Sequence, residues 1–160
     1  MSATAATDVD VVSVATGHTA HLACARLTLE CGKHTLVEKP LALDAHQATE
    51  IAELAAARGL FCAEALWTFF LPRFDVVRQV PTPASWARST PSWPATASTP
   101  LGFTDPRTAH DGLHIEAAET ARCITSGRLQ TSCRTPADSI TTLRVMDDIR
   151  TLCGIPHPPR

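Results

Sequence analysis

From residue 9 onward, short apolar runs alternate with stretches of helical spacing. Residues 9–15 are apolar and β-branched apart from Asp10 and Ser13, as expected of a strand covered on both faces in a parallel sheet. Thr16, Gly17 and His18 make a turn, and residues 18–31 carry Leu22, Ala25 and Leu29, with Ala23 and Leu27, at helical intervals. Gly32 then predicts a C-cap. Residues 34–38 read as a second strand, stopped by Pro40, which cannot donate to a ladder. The short crossover makes the two strands parallel. A second helix is predicted from the N-cap Asp44 to Arg58, closed by Gly59. Residues 60–63 are a third apolar run, and residues 68–80 look helical around Pro72.

The rhythm is lost over residues 81–111, which are crowded with Pro, Ser and Thr yet hold Trp86, Trp93 and Phe103. Two readings stay open. One is an extended linker. The other is a shifted reading frame, since residues 84–95 re-read one frame over with G+C-rich codons alternate like a strand. Helical periodicity returns over residues 112–127, with Ile115, Ala118, Ala121, Arg122 and Ile124 along the run and Gly127 as C-cap. Thr135, Pro136 and Asp138 then form a strong helix start. Ile140, Leu143, Met146, Asp147, Ile149 and Leu152 carry that helix to Gly154. Three parts follow: residues 1–80, a unit of alternating strands and helices; 81–111, an irregular segment; and 112–160, a C-terminal helical part.

In open parallel sheets ligands sit beyond the C-terminal strand ends. Ala15, Thr16, Gly17 and His18 lie there, as do Glu38, Lys39 and Pro40, with Glu64, Ala65, Leu66 and Trp67 after the third strand. Lys39 reads two ways, as a solvated lysine at a strand end or as a functional cation. His18 and His21 are three apart, but no third ligand is placed by sequence, so no metal is expected. His21 could equally be a helix N-terminal histidine without a ligand, and Trp67 a buried core residue.

Composition narrows the picture. The 160 residues suit one real core, and a formal charge of −2 gives no footprint for nucleic acid or an anionic membrane. No apolar run reaches about 18 residues, so no membrane span is expected. The first residues show no signal-peptide pattern. Six cysteines without a CxxC pair fit a reducing cytoplasm and argue against structural zinc. Seven glycines are present, and no three form GxGxxG, whose backbone would cradle a pyrophosphate.

The run Val-Ala-Thr-x-His-x-x-His from Val14 to His21, then Gly32-Lys33-His34 leading to Glu38-Lys39-Pro40, then Glu64-Ala65-Leu66-Trp67-Thr68, resembles the sugar and dihydrodiol branch of the Gfo/Idh/MocA oxidoreductases. The likeness resumes over residues 112–158. It implies an α/β fold: a partial Rossmann-like parallel sheet of about three strands with C-terminal helices. It also implies that the chain opens at what looks like the family's third strand, without the phosphate cradle and with most of the substrate sheet missing. The implied activity is NAD(P)-dependent hydride transfer on a sugar, polyol or dihydrodiol alcohol, impaired by truncation. The alternative is a non-catalytic fragment that at most associates with an intact paralogue.

By the same resemblance Lys39 is the catalytic residue, and Ala15, Thr16, His21, Glu38, Lys39 and Trp67 line the cofactor. Phe69 stands where an arginine is expected. The family's second acid/base group is commonly tyrosine, which this chain lacks, or an Asp and His pair. His110, Asp111 and His114 sit at the apparent junction and are not assigned that role. The expected partners are a small sugar or polyol-like substrate and, through an exposed sheet edge, another protein chain or a second copy.

Overall fold

The computed structural model describes residues 8–71 and 113–156. The readings made for residues 81–111, for the helix beyond residue 71 and for the last four residues lie outside these. The element order is β1 (Val11–Val14), α1 (His21–Glu30), β2 (His34–Glu38), α2 (Ala45–Arg58), β3 (Cys62–Ala65), α3 (Leu113–Thr125) and α4 (Pro136–Leu152). Short 3-10 turns at His18–Ala20 and Trp67–Phe70 follow β1 and β3. The three strands form one parallel sheet in the order β1-β2-β3. This is the α/β, Rossmann-like class that the resemblance implies.

Local chemistry explains the elements that were read correctly. Asp44 caps α2 by accepting from the Gln47 N–H at 2.8 Å. Gly59 ends it at φ 63°, a left-handed conformation that a side chain disfavours. Thr135 and Asp138 form a reciprocal capping box at the start of α4.

The strand side chains alternate between two faces. Val14, Val37 and Cys62 face α1 and α2 and join Ala25, Leu29, Ala48 and Ile51 in the main core. Leu143 of α4 packs into the same core. Leu36, Phe61, Ala63 and Ala65 face the other way and meet Cys123 of α3. The C-terminal helices are therefore packed on both sides of the sheet. Each large side chain so buried stabilises by about 1.5–3 kcal/mol.

Three differences from the residue pattern have physical causes. First, β1 is shorter than residues 9–15, and only Val14 is buried in it. Among the described residues it is an edge strand with one neighbour, and no described helix lies over Val11 and Ser13. Second, β3 begins at Cys62 rather than at Leu60, because its start is set by pairing of Cys62 with Thr35. Glu64 thus lies inside the strand rather than beyond its end. Third, α3 turns Glu116, Glu119, Thr120 and Cys123 inward, and leaves Ala118 and Ala121 exposed. The polar face wins because its carboxylate finds partners: Glu119 accepts from Thr131 Oγ1 at 3.2 Å and pairs with Arg122 and Arg128.

Candidate functional site

The C-terminal edge of the sheet gathers the residues singled out from the sequence. Val14 and Val37 are paired across β1 and β2, so the turns after them, at Ala15–Thr16 and Lys39–Pro40, lie side by side. Ala15, Thr16 and Lys39 are exposed there. His21 lies beneath them, fully buried at 0% exposure. Its Nδ1 is 2.9 Å from the Pro40 carbonyl oxygen, and its Nε2 is 3.2 Å from that of Thr16. Both partners only accept, so a ring nitrogen that carries a proton donates to its carbonyl, and the ring sits wedged between the two turns. The sequence placed His21 at this edge but did not reveal that its ring is used up by backbone.

Glu38 ends β2, half-buried, and its Oε2 accepts from the Lys39 N–H at 3.3 Å. Lys39 is joined to Pro40 by a cis peptide. Trp67 opens the 3-10 turn after β3 and is half-buried. His18 contacts His21 edge-to-face, with ring centroids 5.4 Å apart. Among the described residues no group of three or more His, Cys, Asp or Glu could hold a metal ion, and no helix is long and apolar enough to cross a membrane.

Two residues that carry this edge were missed or misread. Glu64, taken as part of a strand-end motif, is 5% exposed and works as a hub. Its Oε1 accepts from the Leu41 N–H at 2.9 Å, just after the Lys39–Pro40 turn. Its Oε2 accepts from Ser139 Oγ at 2.7 Å and from Arg134 Nε at 2.5 Å. Arg134 lies with its guanidinium carbon 4.7 Å from the ring centroid of Phe69, so the aromatic ring that replaces an expected arginine carries an arginine from another segment. Nothing in the local sequence signals this, because Arg134 and Ser139 lie 70 and 75 residues from Glu64.

The second missed residue is Glu116. It is 5% exposed, and its Oε2 has no hydrogen-bond partner. Burial, with a smaller contribution from the negative charge of Glu38, pushes its pKa up to about 7.

Two clefts, with volumes of about 620 Å³ and 540 Å³, lie elsewhere. The first lies along α1 at Leu22 and Arg26, the second between α2 and α4 at Ala55 and Ile140. Neither includes Lys39.

A three-stranded parallel sheet with its candidate residues at the C-terminal edge has the arrangement in which open α/β sheets place their ligands. Residues 1–65 match the Gfo/Idh/MocA family model, described as an oxidoreductase family with an NAD-binding Rossmann fold. The resemblance read from the motifs is thus shown over that stretch. The chain is 41% identical over 73 residues to trans-1,2-dihydrobenzene-1,2-diol dehydrogenase of Bos taurus, a match covering 46% of this chain and 22% of the relative. It is also 41% identical over 73 residues to D-xylose 1-dehydrogenase (NADP(+)) of Hypocrea jecorina, covering 46% of this chain and 19% of that one. A 3-ketoreductase from Actinomadura kijaniata, solved with TDP-benzene and NADP, aligns with a TM-score of 0.45 at 34% identity, over 46% of this chain and 23% of that one. The matches thus span about a fifth of the length of these relatives.

Proposed function

We propose that this chain carries the nicotinamide-facing part of an NAD(P)-dependent oxidoreductase site acting on a sugar, polyol or dihydrodiol-type alcohol. The observation that carries the reading is the pairing of the exposed Thr16 and Lys39 turns by the buried His21 ring, within a stretch matching an NAD-binding oxidoreductase family. The donor set suits the nicotinamide and ribose end of a dinucleotide. It offers one cation, one carboxylate and exposed turn backbone, whereas a glycine-rich phosphate cradle is not among the 160 residues. When bound, the cofactor supplies a hydride acceptor or donor.

The chain's own residues do the rest. The Lys39 ammonium favours negative charge developing on an alcohol oxygen and can hold or release its proton at Nζ. Glu38 braces the backbone N–H of Lys39 and can take a ribose hydroxyl. Ala15 and Thr16 offer backbone and a hydroxyl to the dinucleotide. His21 acts indirectly, by fixing the distance between the two turns. Trp67 offers an apolar ring beside the nicotinamide position.

The test is a titration of the purified chain with NADPH and NADH, followed by nicotinamide fluorescence, with Lys39→Met in parallel. Saturation at micromolar levels, weakened in the variant, supports the reading. No binding up to millimolar concentration overturns it.

A second reading rests on β1, whose outer edge pairs with no strand among the described residues and whose Val11 is 40% exposed. Such an edge pairs readily with another chain, and on this reading the chain is a non-catalytic partner. A compact monomer in sedimentation would rule that out.

A further inference from the structure

Glu38 and Glu116 come to the same face of the sheet from opposite ends of the described chain. The register pairs Leu36 with Ala63 and Glu38 with Ala65. Leu36, Ala63 and Ala65 all lie under Cys123 of α3, so by strand alternation Glu38 shares their face. Glu116 is two turns before Cys123 on the inward side of α3, which packs against the Trp67–Phe70 turn at the C-terminal edge. On the same face, β1 carries only the exposed Val11 and Ser13. The result is a buried carboxyl whose Oε2 has no hydrogen-bond partner and which feels the charge of Glu38, next to a part of the sheet that no described element covers.

A buried polar atom without a partner costs free energy, unless something outside the chain completes it. The other charged groups nearby are already engaged. Glu119 is tied to Arg122, Arg128 and Thr131. Glu64 is tied to Arg134 on the opposite face. The Trp67–Phe70 turn and the inward positions of β3 bring no titratable group. On the same face of β2 lie His34, whose Nδ1 accepts from the Phe61 N–H, and Glu38, the charge that Glu116 meets.

We propose that Glu116 is a ligand-contacting residue of this site, a neutral carboxylic acid that donates a hydrogen bond from its free oxygen to an acceptor on the nicotinamide half of the dinucleotide. The inference rests on the cofactor reading above. Once ionised, Glu116 can no longer donate, and it adds a second negative charge to that of Glu38. Its raised pKa of about 7 puts that change in an accessible range.

The experiment is an NADH titration of the full chain at pH 6 and pH 8, with Glu116→Gln in parallel. NADH is chosen because it has no 2′-phosphate to titrate in this range. For the natural chain, binding about tenfold weaker at pH 8 is expected, one decade for one pH unit of ionisation. Glutamine keeps a donor and cannot ionise, so the variant should bind equally at both pH values. Equal binding by the natural chain, or a slope retained in Glu116→Gln, overturns the inference and leaves the cofactor reading standing. Absence of NADH binding at pH 6 overturns both. Carboxyl 13C shifts of the ligand-free chain give a second readout, and a Glu116 that ionises below about pH 5 overturns the inference without reference to ligand.

Discussion

Glu64 and Arg134 form a buried ion pair, Oε2 to Nε 2.5 Å, with side chains only 5% and 6% exposed. The pair joins β3 to the segment before α4, and through Glu64 Oε1 it also holds Leu41, one residue beyond the Lys39–Pro40 turn. A carboxylate with three donors is well satisfied, so the desolvation of both charges is largely offset. The candidate site and the C-terminal helices are coupled through this residue.

Removing one partner leaves the other charge buried and alone, which typically costs about 3–5 kcal/mol. Glu64→Ala and Arg134→Ala should each lower stability by about that much. The double variant should cost less than the sum. Urea unfolding of the four proteins measures the coupling, and strict additivity would mean that the pair does not form in solution.

Asp147 supplies a similar tie at lower stakes. Its Oδ2 accepts from the Ala45 N–H at 2.9 Å, and its Oδ1 pairs with Arg150, which in turn donates to the Leu43 carbonyl. A carboxylate at the first turn of α2 satisfies an N–H with no intrahelical partner and suits the helix dipole. Asp147→Ala should destabilise by about 1–2 kcal/mol, read as a lower unfolding midpoint. Asp147→Asn, which keeps an acceptor, should recover part of the loss.

The parts legible in the sequence are those set by neighbours in the chain. Asp44, Gly59, Thr135 and Pro136 mark helix ends because caps are local, and His34–Glu38 reads as a strand because five residues suffice. The inward face of α3 was not legible. Ala118 and Ala121 look like core positions, yet Glu116 and Glu119 are buried, because Arg122, Arg128 and Thr131 stabilise the latter only after folding. The exposure of β1 follows from its edge position, which depends on sheet order rather than on its own residues. For the site, the positions of Thr16, Glu38 and Lys39 could be read as strand ends. The structural use of the His21 ring, and the roles of Arg134 and Glu116, depend on contacts across 19 or more residues.

The cysteines divide by burial. Cys31 and Cys153 are exposed, while Cys62 and Cys123 are buried. Burial pushes the Cys62 thiol up to about 12. Burial, then the Glu119 carboxylate, pushes Cys123 up to about 11. The thiolate is the reactive form, so iodoacetamide at pH 8 should alkylate Cys31 and Cys153 in the folded chain and spare Cys62 and Cys123 until urea is added. Peptide mass spectrometry reads each site separately. Early labelling of Cys123 would mean that α3 is not seated on the sheet.

Glu116 makes stability depend on pH in the opposite sense to an ion-paired carboxylate. Its folded pKa of about 7 lies above the ordinary carboxyl value of 4.5, so between these values the folded chain binds more protons than the unfolded one. Stability from this group is fully present below about pH 4.5 and is lost as pH rises to about 7, after which the slope vanishes. The accumulated loss is of order 3 kcal/mol, from one pKa unit being worth about 1.4 kcal/mol. Glu116→Gln cannot ionise, so it should be more stable than the natural chain above pH 7 and lose that advantage near pH 5. Urea midpoints across pH 5–8 provide the measurement. Parallel curves for the two proteins would mean that Glu116 is ionised, or reaches water, in the folded chain.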